Sequence, residues 1–233
     1  MIFKFFFDAQ RKLRSLLSFP FNNYETLNFL DLKLIDDLQK MGLELVNSNK
    51  KNYKKTHKIF SKATLELILN KKLKNFLQNS FIQKMFFVHN RFFLKIYLNE
   101  MKESKKWKLW QNMLIENNIG SPVRFFLNPF TSGNKIFQTY HLKKYNDFAK
   151  INLRNYDVIL EFGGGYGNMA STFKKKINKN CRYIIFDTPE VNLLQFYYLR
   201  RNKISVSLNN INSKSVVLIS SYKELNTIIK KLK

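Results

Sequence analysis

The chain has 233 residues, of which 45% are hydrophobic and 23 are Phe, so it is too apolar for a disordered polypeptide and must bury a core. Its formal charge of +25 raises the question of a polyanionic partner, since Lys and Arg neutralise phosphates. Only eight of the 41 basic residues are Arg, however, and Asn, Ile and Phe are also abundant. An A/T-rich coding sequence gives that mixture, so a nucleic-acid partner is not favoured on charge alone.

The start of the chain, Met1 to Ser18, has an apolar run (Ile2, Phe3, Phe5, Phe6, Phe7) before Arg11, Lys12 and Arg14. This is the reverse of a secretory signal, and Lys4 interrupts the run. No stretch reaches the roughly 18 apolar residues that a transmembrane helix needs. A peripheral amphipathic contact with a membrane stays open as an alternative to a helix docked on its own domain.

From Glu25 to Val46 the residues Leu27, Leu30, Leu34, Leu38, Met41 and Leu45 recur at three- and four-residue steps and predict an amphipathic helix. Phe81 to Glu103 repeats the pattern through Ile82, Met85, Phe86, Phe93, Ile96 and Tyr97. Trp107, Trp110 and Leu114 predict a shorter helix, stopped by Gly120, Ser121 and Pro122. Residues 1–120 therefore read as a helical region. Residues 121–150 show no sustained period and read as a junction and candidate acceptor-site segment.

From residue 151 the texture becomes strand, glycine turn, helix, strand, helix. Asp157 to Phe162 predicts a strand, Gly167 to Ile177 a helix, and Arg182 to Asp187 a second, near-continuously apolar strand suited to a buried parallel position. Thr188 fits an N-cap and Pro189 the first position of the next helix. Ser215 to Ser220 predicts a third strand. Ser221 and Glu224 have the capping-box spacing, and Tyr222, Leu225, Ile229 and Leu232 form a stripe on the last helix. The fold class expected is α/β: the first three strands of a doubly wound, mostly parallel sheet, after a mostly helical N-terminal region.

The segment from Val158 to Gly167 places Glu161 and the alternating Gly163, Gly165 and Gly167, with Gly164 between, where a strand passes into a helix. Glycines there let the backbone turn sharply and approach a ligand. Glu161 can meet a cationic amino group, and Asp187, ending the next strand, can accept hydrogen bonds from two ribose hydroxyls. A nicotinamide or flavin dinucleotide is the nearest rival ligand. Its G-x-G-x-x-G spacing, counted from Gly163, would need glycine where Asn168 stands.

These residues resemble motif I of the class I S-adenosylmethionine-dependent methyltransferases. The run Phe186-Asp187-Thr188-Pro189-Glu190-Val191 is similar to a D-L-P-x-V stretch of several O-methyltransferase families, with Thr188 in place of the commoner Leu. The longer run ILEFGGGYGNMA through YIIFDTPEVNLLQFYYL, with ENNIGSP and TSGNKIFQTYHL upstream, resembles bacterial sugar O-methyltransferases of surface-polysaccharide modification. The resemblance implies a Rossmann-like methyltransferase domain with S-adenosyl-L-methionine as cofactor. It places Gly163, Gly165 and Gly167 against the methionine moiety, Glu161 at its amino group and Asp187 at the ribose, and makes a sugar or glycan the acceptor. The family's remaining strands have no counterpart, so the chain is expected to be C-terminally truncated and, as it stands, an incomplete enzyme with a bare edge on its first strand. A nucleic-acid methyltransferase and a non-catalytic cofactor-binding fragment are the alternatives.

A single cysteine, Cys181, excludes an intramolecular disulfide and a Cys-based zinc site and fits a reducing, cytoplasmic setting. No metal is expected. His141 and Glu116 are the candidates for the acceptor site, His141 because an imidazole can take a hydroxyl proton. His89 and His57 read as a core or boundary residue and a solvated one. The acceptor's identity and the oligomeric state are not legible.

Overall fold

The computed structural model describes residues 9, 13, 25–48, 55–86, 91–150, 152–208, 210 and 215–232. The apolar start, His89 and the side chain of His57 lie outside what is described. No helix among the described residues is long and apolar enough to cross a membrane.

From residue 25 to 120 the described residues form five α-helices: α1 (Phe29–Ser48), α2 (Lys55–Leu69), α3 (Ser80–Phe86), α4 (Arg91–Lys102) and α5 (Trp107–Leu114). Helix α1 begins at a reciprocal cap, in which the backbone N–H of Asn28 donates to Asp31 Oδ2 at 2.8 Å and that of Asp31 to Asn28 Oδ1 at 3.0 Å. Its buried side carries Ile35 and Leu38, whereas Leu30, expected on that stripe, is 71% exposed. The segment expected as a helix from Phe81 to Glu103 carries α3 and α4 on either side of residues 87–90, which lie outside the described residues. Helix α2 falls in the region read as helical, although no periodicity was singled out for it.

The junction is more ordered than its composition suggests. Strands β1 (Arg124–Phe125) and β2 (Asn128–Ser132) form an antiparallel hairpin, followed by α6 (Gly133–Ala149). Ser132 caps α6 by accepting from the N–H of Lys135. The helix shows no apolar stripe because much of the face it buries is polar: Asn134, Lys135, Thr139, Lys143 and Asn146 are buried there beside Ile136. Lys135 is held there by Asn168 and Thr172, and Lys143 by Glu100 and Asp147.

The α/β part runs β3 (Val158–Phe162), α7 (Asn168–Lys176), β4 (Arg182–Phe186), α8 (Pro189–Arg201), β5 (Val206–Leu208), β6 (Val216–Ile219) and α9 (Tyr222–Leu232). The sheet has four parallel strands in the order β3-β4-β6-β5, so the expected count of three is corrected by β5. The short alternation Ile204, Val206, Leu208 was its only signal. Strand β3 is an edge among the described residues, and Val158, Leu160 and Phe162 on one of its faces are exposed. Pro189 opens α8 as expected, but Thr188 supplies the cap conformation without a side-chain hydrogen bond. The Ser221–Glu224 box is formed in both directions at 3.2 Å. Behind it α9 buries Leu225 and Ile228, while Tyr222 and Ile229 stay exposed.

The helical region shares its cores with the sheet. Ile35, Leu38, Ile68 and Phe76 join Tyr166, Leu194, Tyr197 and Tyr198 in one apolar cluster. Leu94, Trp110, Met113 and Ile136 join Phe173, Tyr183 and Ile185 in another. A buried ion cluster fastens the first contact: Arg201 of α8 pairs with Glu25 and with Asp31, and Glu25 also accepts from the N–H of Gly120 at 2.8 Å. Helices α1 and α2 are thereby packed on α8.

Candidate functional site

A cavity of about 600 Å³ opens where β3 and β4 end. One wall is Glu161, Gly163, Gly164 and Gly165, with Asp187, Thr188 and Val191 continuing it from β4 into α8. The opposite wall is Phe60 and Ser61 of α2, Lys84, Met85 and Phe86 of α3, and Asn134, Phe137 and Gln138 of α6. Crevices at the carboxyl ends of parallel strands are the usual ligand sites of open α/β sheets.

The glycines have separate jobs. Gly163, Gly165 and Gly167 adopt φ of +70°, +57° and +89°, a region that side chains disfavour. A Cβ on Gly164 would stand 2.5 Å from Ile185 Cγ2, so that glycine lets the turn lie against β4. A Cβ on Gly163 would meet nothing within 4 Å and faces free space. Gly163 therefore keeps backbone accessible to a ligand, and Gly164 keeps the turn closed. Gly167 is the N-cap of α7 and packs near Leu199.

Glu161 accepts a hydrogen bond from the Tyr183 hydroxyl at 3.0 Å. Loss of water around its carboxyl, offset in part by Tyr183 and reinforced by the negative charge of Asp187, pushes its pKa up to about 7. Burial, then the carboxylate of Glu161, pushes the Tyr183 phenol well above its usual value. A cationic group placed between Glu161 and Asp187 would relieve both the desolvation and the repulsion.

Asp187 accepts from the N–H of Thr188 at 2.8 Å through Oδ1 and from Gln195 Nε2 at 2.9 Å through Oδ2. The same Gln195 nitrogen donates to the Gly165 carbonyl at 2.9 Å, so one fully buried amide ties the glycine turn to the carboxylate at the end of β4. Neither Gln195 nor the opposite wall was singled out from sequence. Asn134, Phe137 and Gln138 do fall in the TSGNKIFQTYHL run that was.

All of Glu161, Gly163, Gly164, Gly165 and Asp187 line the cavity, and Gly167 stands just behind it. His141 and Glu116 do not line it. His141 is exposed one turn along α6 from Phe137, its Nδ1 2.8 Å from that residue's carbonyl oxygen and its ring 4.1 Å from the Phe137 ring. Glu116 is buried under the turn, accepting from Ser132 Oγ at 2.5 Å, with Lys135 Nζ 3.9 Å away. Lys135 in turn donates to Asn168 Oδ1 and Thr172 Oγ1, each at 2.8 Å. Burial pushes the Lys135 ammonium down, and Glu116 only partly restores it. That network braces the first turn of α7 from below. Among the described residues, no three His, Cys, Asp or Glu side chains gather as a metal cluster.

Comparisons with protein-family models, with curated proteins and with solved structures returned no match, so the functional reading rests on the site itself.

Proposed function

We propose that the cavity holds S-adenosylmethionine in a Rossmann-like methyltransferase domain, and that the protein transfers the methyl group to a hydroxyl of a second molecule. The observation that carries this reading is the meeting of Glu161, the glycine turn and Asp187, contributed by two adjacent parallel strands, on one wall of a single cavity. Gly163 leaves backbone open to the amino-acid end of the ligand. Glu161 receives its ammonium, and Asp187, held by Thr188 and Gln195, receives the ribose hydroxyls. Phe86 and Phe137 on the opposite wall exclude water from the reacting groups. When bound, the donor supplies an electrophilic sulfonium methyl carbon to an attacking hydroxyl oxygen. Much of the rate then comes from holding the two reactants in line.

A sugar hydroxyl is the acceptor favoured by the resemblance of the glycine turn, the β4–α8 junction and the TSGNKIFQTYHL run to sugar O-methyltransferases. The test is incubation with methyl-labelled S-adenosylmethionine and separate pools of soluble glycans, RNA and DNA. Label on glycan hydroxyls is expected. Label on RNA or DNA would overturn the sugar assignment, and ligand binding without transfer to any pool would contradict the enzymatic reading.

A further inference from the structure

The charges on the cavity wall are few. Among the described residues, Glu161 and Asp187 are its acids, and Lys84 of α3 is its one Lys or Arg. Lys84 has no ion-pair partner among the described residues, and its ammonium lies 5.4 Å from the centre of the Phe81 ring. It is exposed and lines the same cavity as the glycine turn. With Glu161 on the ligand's ammonium and Asp187 on its ribose, the carboxylate of S-adenosylmethionine still needs a cation, and Lys84 is the described cation on the lining.

We infer that Lys84 binds the α-carboxylate of the amino-acid end of the ligand, so that the cavity selects amino-acid-bearing nucleosides over plain ones. This rests on the methyl-donor reading. Asp187 and Lys84 then fix the two ends of the molecule, with Glu161 on the ammonium, and the direction in which the ligand lies follows from charge. Among the described residues no acidic group besides Glu161 and Asp187 lines the wall to neutralise Lys84 internally. The side chain is long and exposed, so it can close on the carboxylate at little conformational cost to the fold.

The experiment measures calorimetric affinities of the full chain and its Lys84→Met and Lys84→Arg variants. Three ligands are used: S-adenosylhomocysteine, its decarboxylated analogue, and 5′-methylthioadenosine, which lacks the amino-acid end. The unaltered protein is expected to bind S-adenosylhomocysteine about tenfold more tightly than the decarboxylated analogue, the effect of one charge-assisted hydrogen bond. Lys84→Met should remove that difference by weakening S-adenosylhomocysteine alone, and Lys84→Arg should keep most of it. Equal loss for all three ligands, or no loss for any, would overturn the role of Lys84 while leaving the donor reading standing. Failure of the unaltered protein to bind any of the three would overturn both.

Discussion

The side-chain nitrogen of Gln195 lies 2.9 Å from Asp187 Oδ2, and that short link joins α8 to the ligand-facing end of β4. Because the same nitrogen also reaches the Gly165 carbonyl, the turn and the carboxylate cannot move independently. Gln195→Leu should cost about 1 kcal/mol of stability, the lower end of the penalty for leaving acceptors without a donor, because Gly165 and Asp187 are only partly buried. It should also weaken S-adenosylhomocysteine binding. In a double-mutant cycle with Asp187→Ala the losses of affinity should fall short of additivity, since both changes spoil one arrangement. Strictly additive losses would show that Gln195 acts without Asp187.

Gly163 and Gly164 are neighbours with opposite expected outcomes. Gly164→Ala forces a Cβ to within 2.5 Å of Ile185 Cγ2 in the sheet and should destabilise the fold by about 1–3 kcal/mol, as overpacking does. Gly163→Ala pays mainly for its positive φ, about 1–2 kcal/mol, because its Cβ meets no neighbour. That methyl group projects into free space beside the cavity and should lower ligand affinity about tenfold. Thermal unfolding and calorimetry on both variants separate the two effects.

The raised pKa of Glu161 sets a pH dependence with a definite sign. A carboxyl titrating near 7 in the folded protein and near 4.5 when unfolded contributes stability that is complete below about 4.5 and lost as pH rises through 7. Glu161→Gln should therefore raise the Tm of the ligand-free protein at pH 8, by about 2–4 °C if the gain is near 1 kcal/mol, and have little effect at pH 4. Binding of a cationic amino group draws the proton off. At pH 7 about half a proton should be released per ligand bound, so the calorimetric enthalpy should vary with the ionisation enthalpy of the buffer.

Glu116 and Lys135 should report on folding and not on the acceptor. Their side chains are 1% and 5% exposed, so Lys135→Met leaves a buried carboxylate without its cation and should cost about 3–5 kcal/mol. Glu116→Gln keeps an acceptor for Ser132 and should cost less, about 1–3 kcal/mol. Denaturant unfolding measures both. Ligand affinity of Glu116→Gln should stay close to that of the unaltered protein, since Glu116 does not reach the cavity.

The parts legible in the sequence are those where backbone geometry leaves a residue-level mark. The positive φ angles at Gly163, Gly165 and Gly167, the Ser221–Glu224 box and the apolar run of β4 each require particular residue types. Helix α6 was not legible because its buried face includes Lys135 and Lys143, whose partners Asn168, Thr172 and Glu100 are distant in sequence. The opposite wall of the cavity was hidden for a related reason. Phe60, Lys84 and Phe137 are ordinary helix residues until the packing of α2, α3 and α6 in the two shared cores brings them to one cavity.

The central claim, that the glycine turn and Asp187 form a site for a methyl-donor nucleoside, is tested most directly by calorimetric titration of the full chain with S-adenosylhomocysteine and, separately, with NAD. Binding of S-adenosylhomocysteine, little response to NAD, and a loss of about 1–3 kcal/mol in Asp187→Ala are the predicted results. Binding of NAD with no response to S-adenosylhomocysteine, or an Asp187→Ala variant of unchanged affinity, would contradict the account.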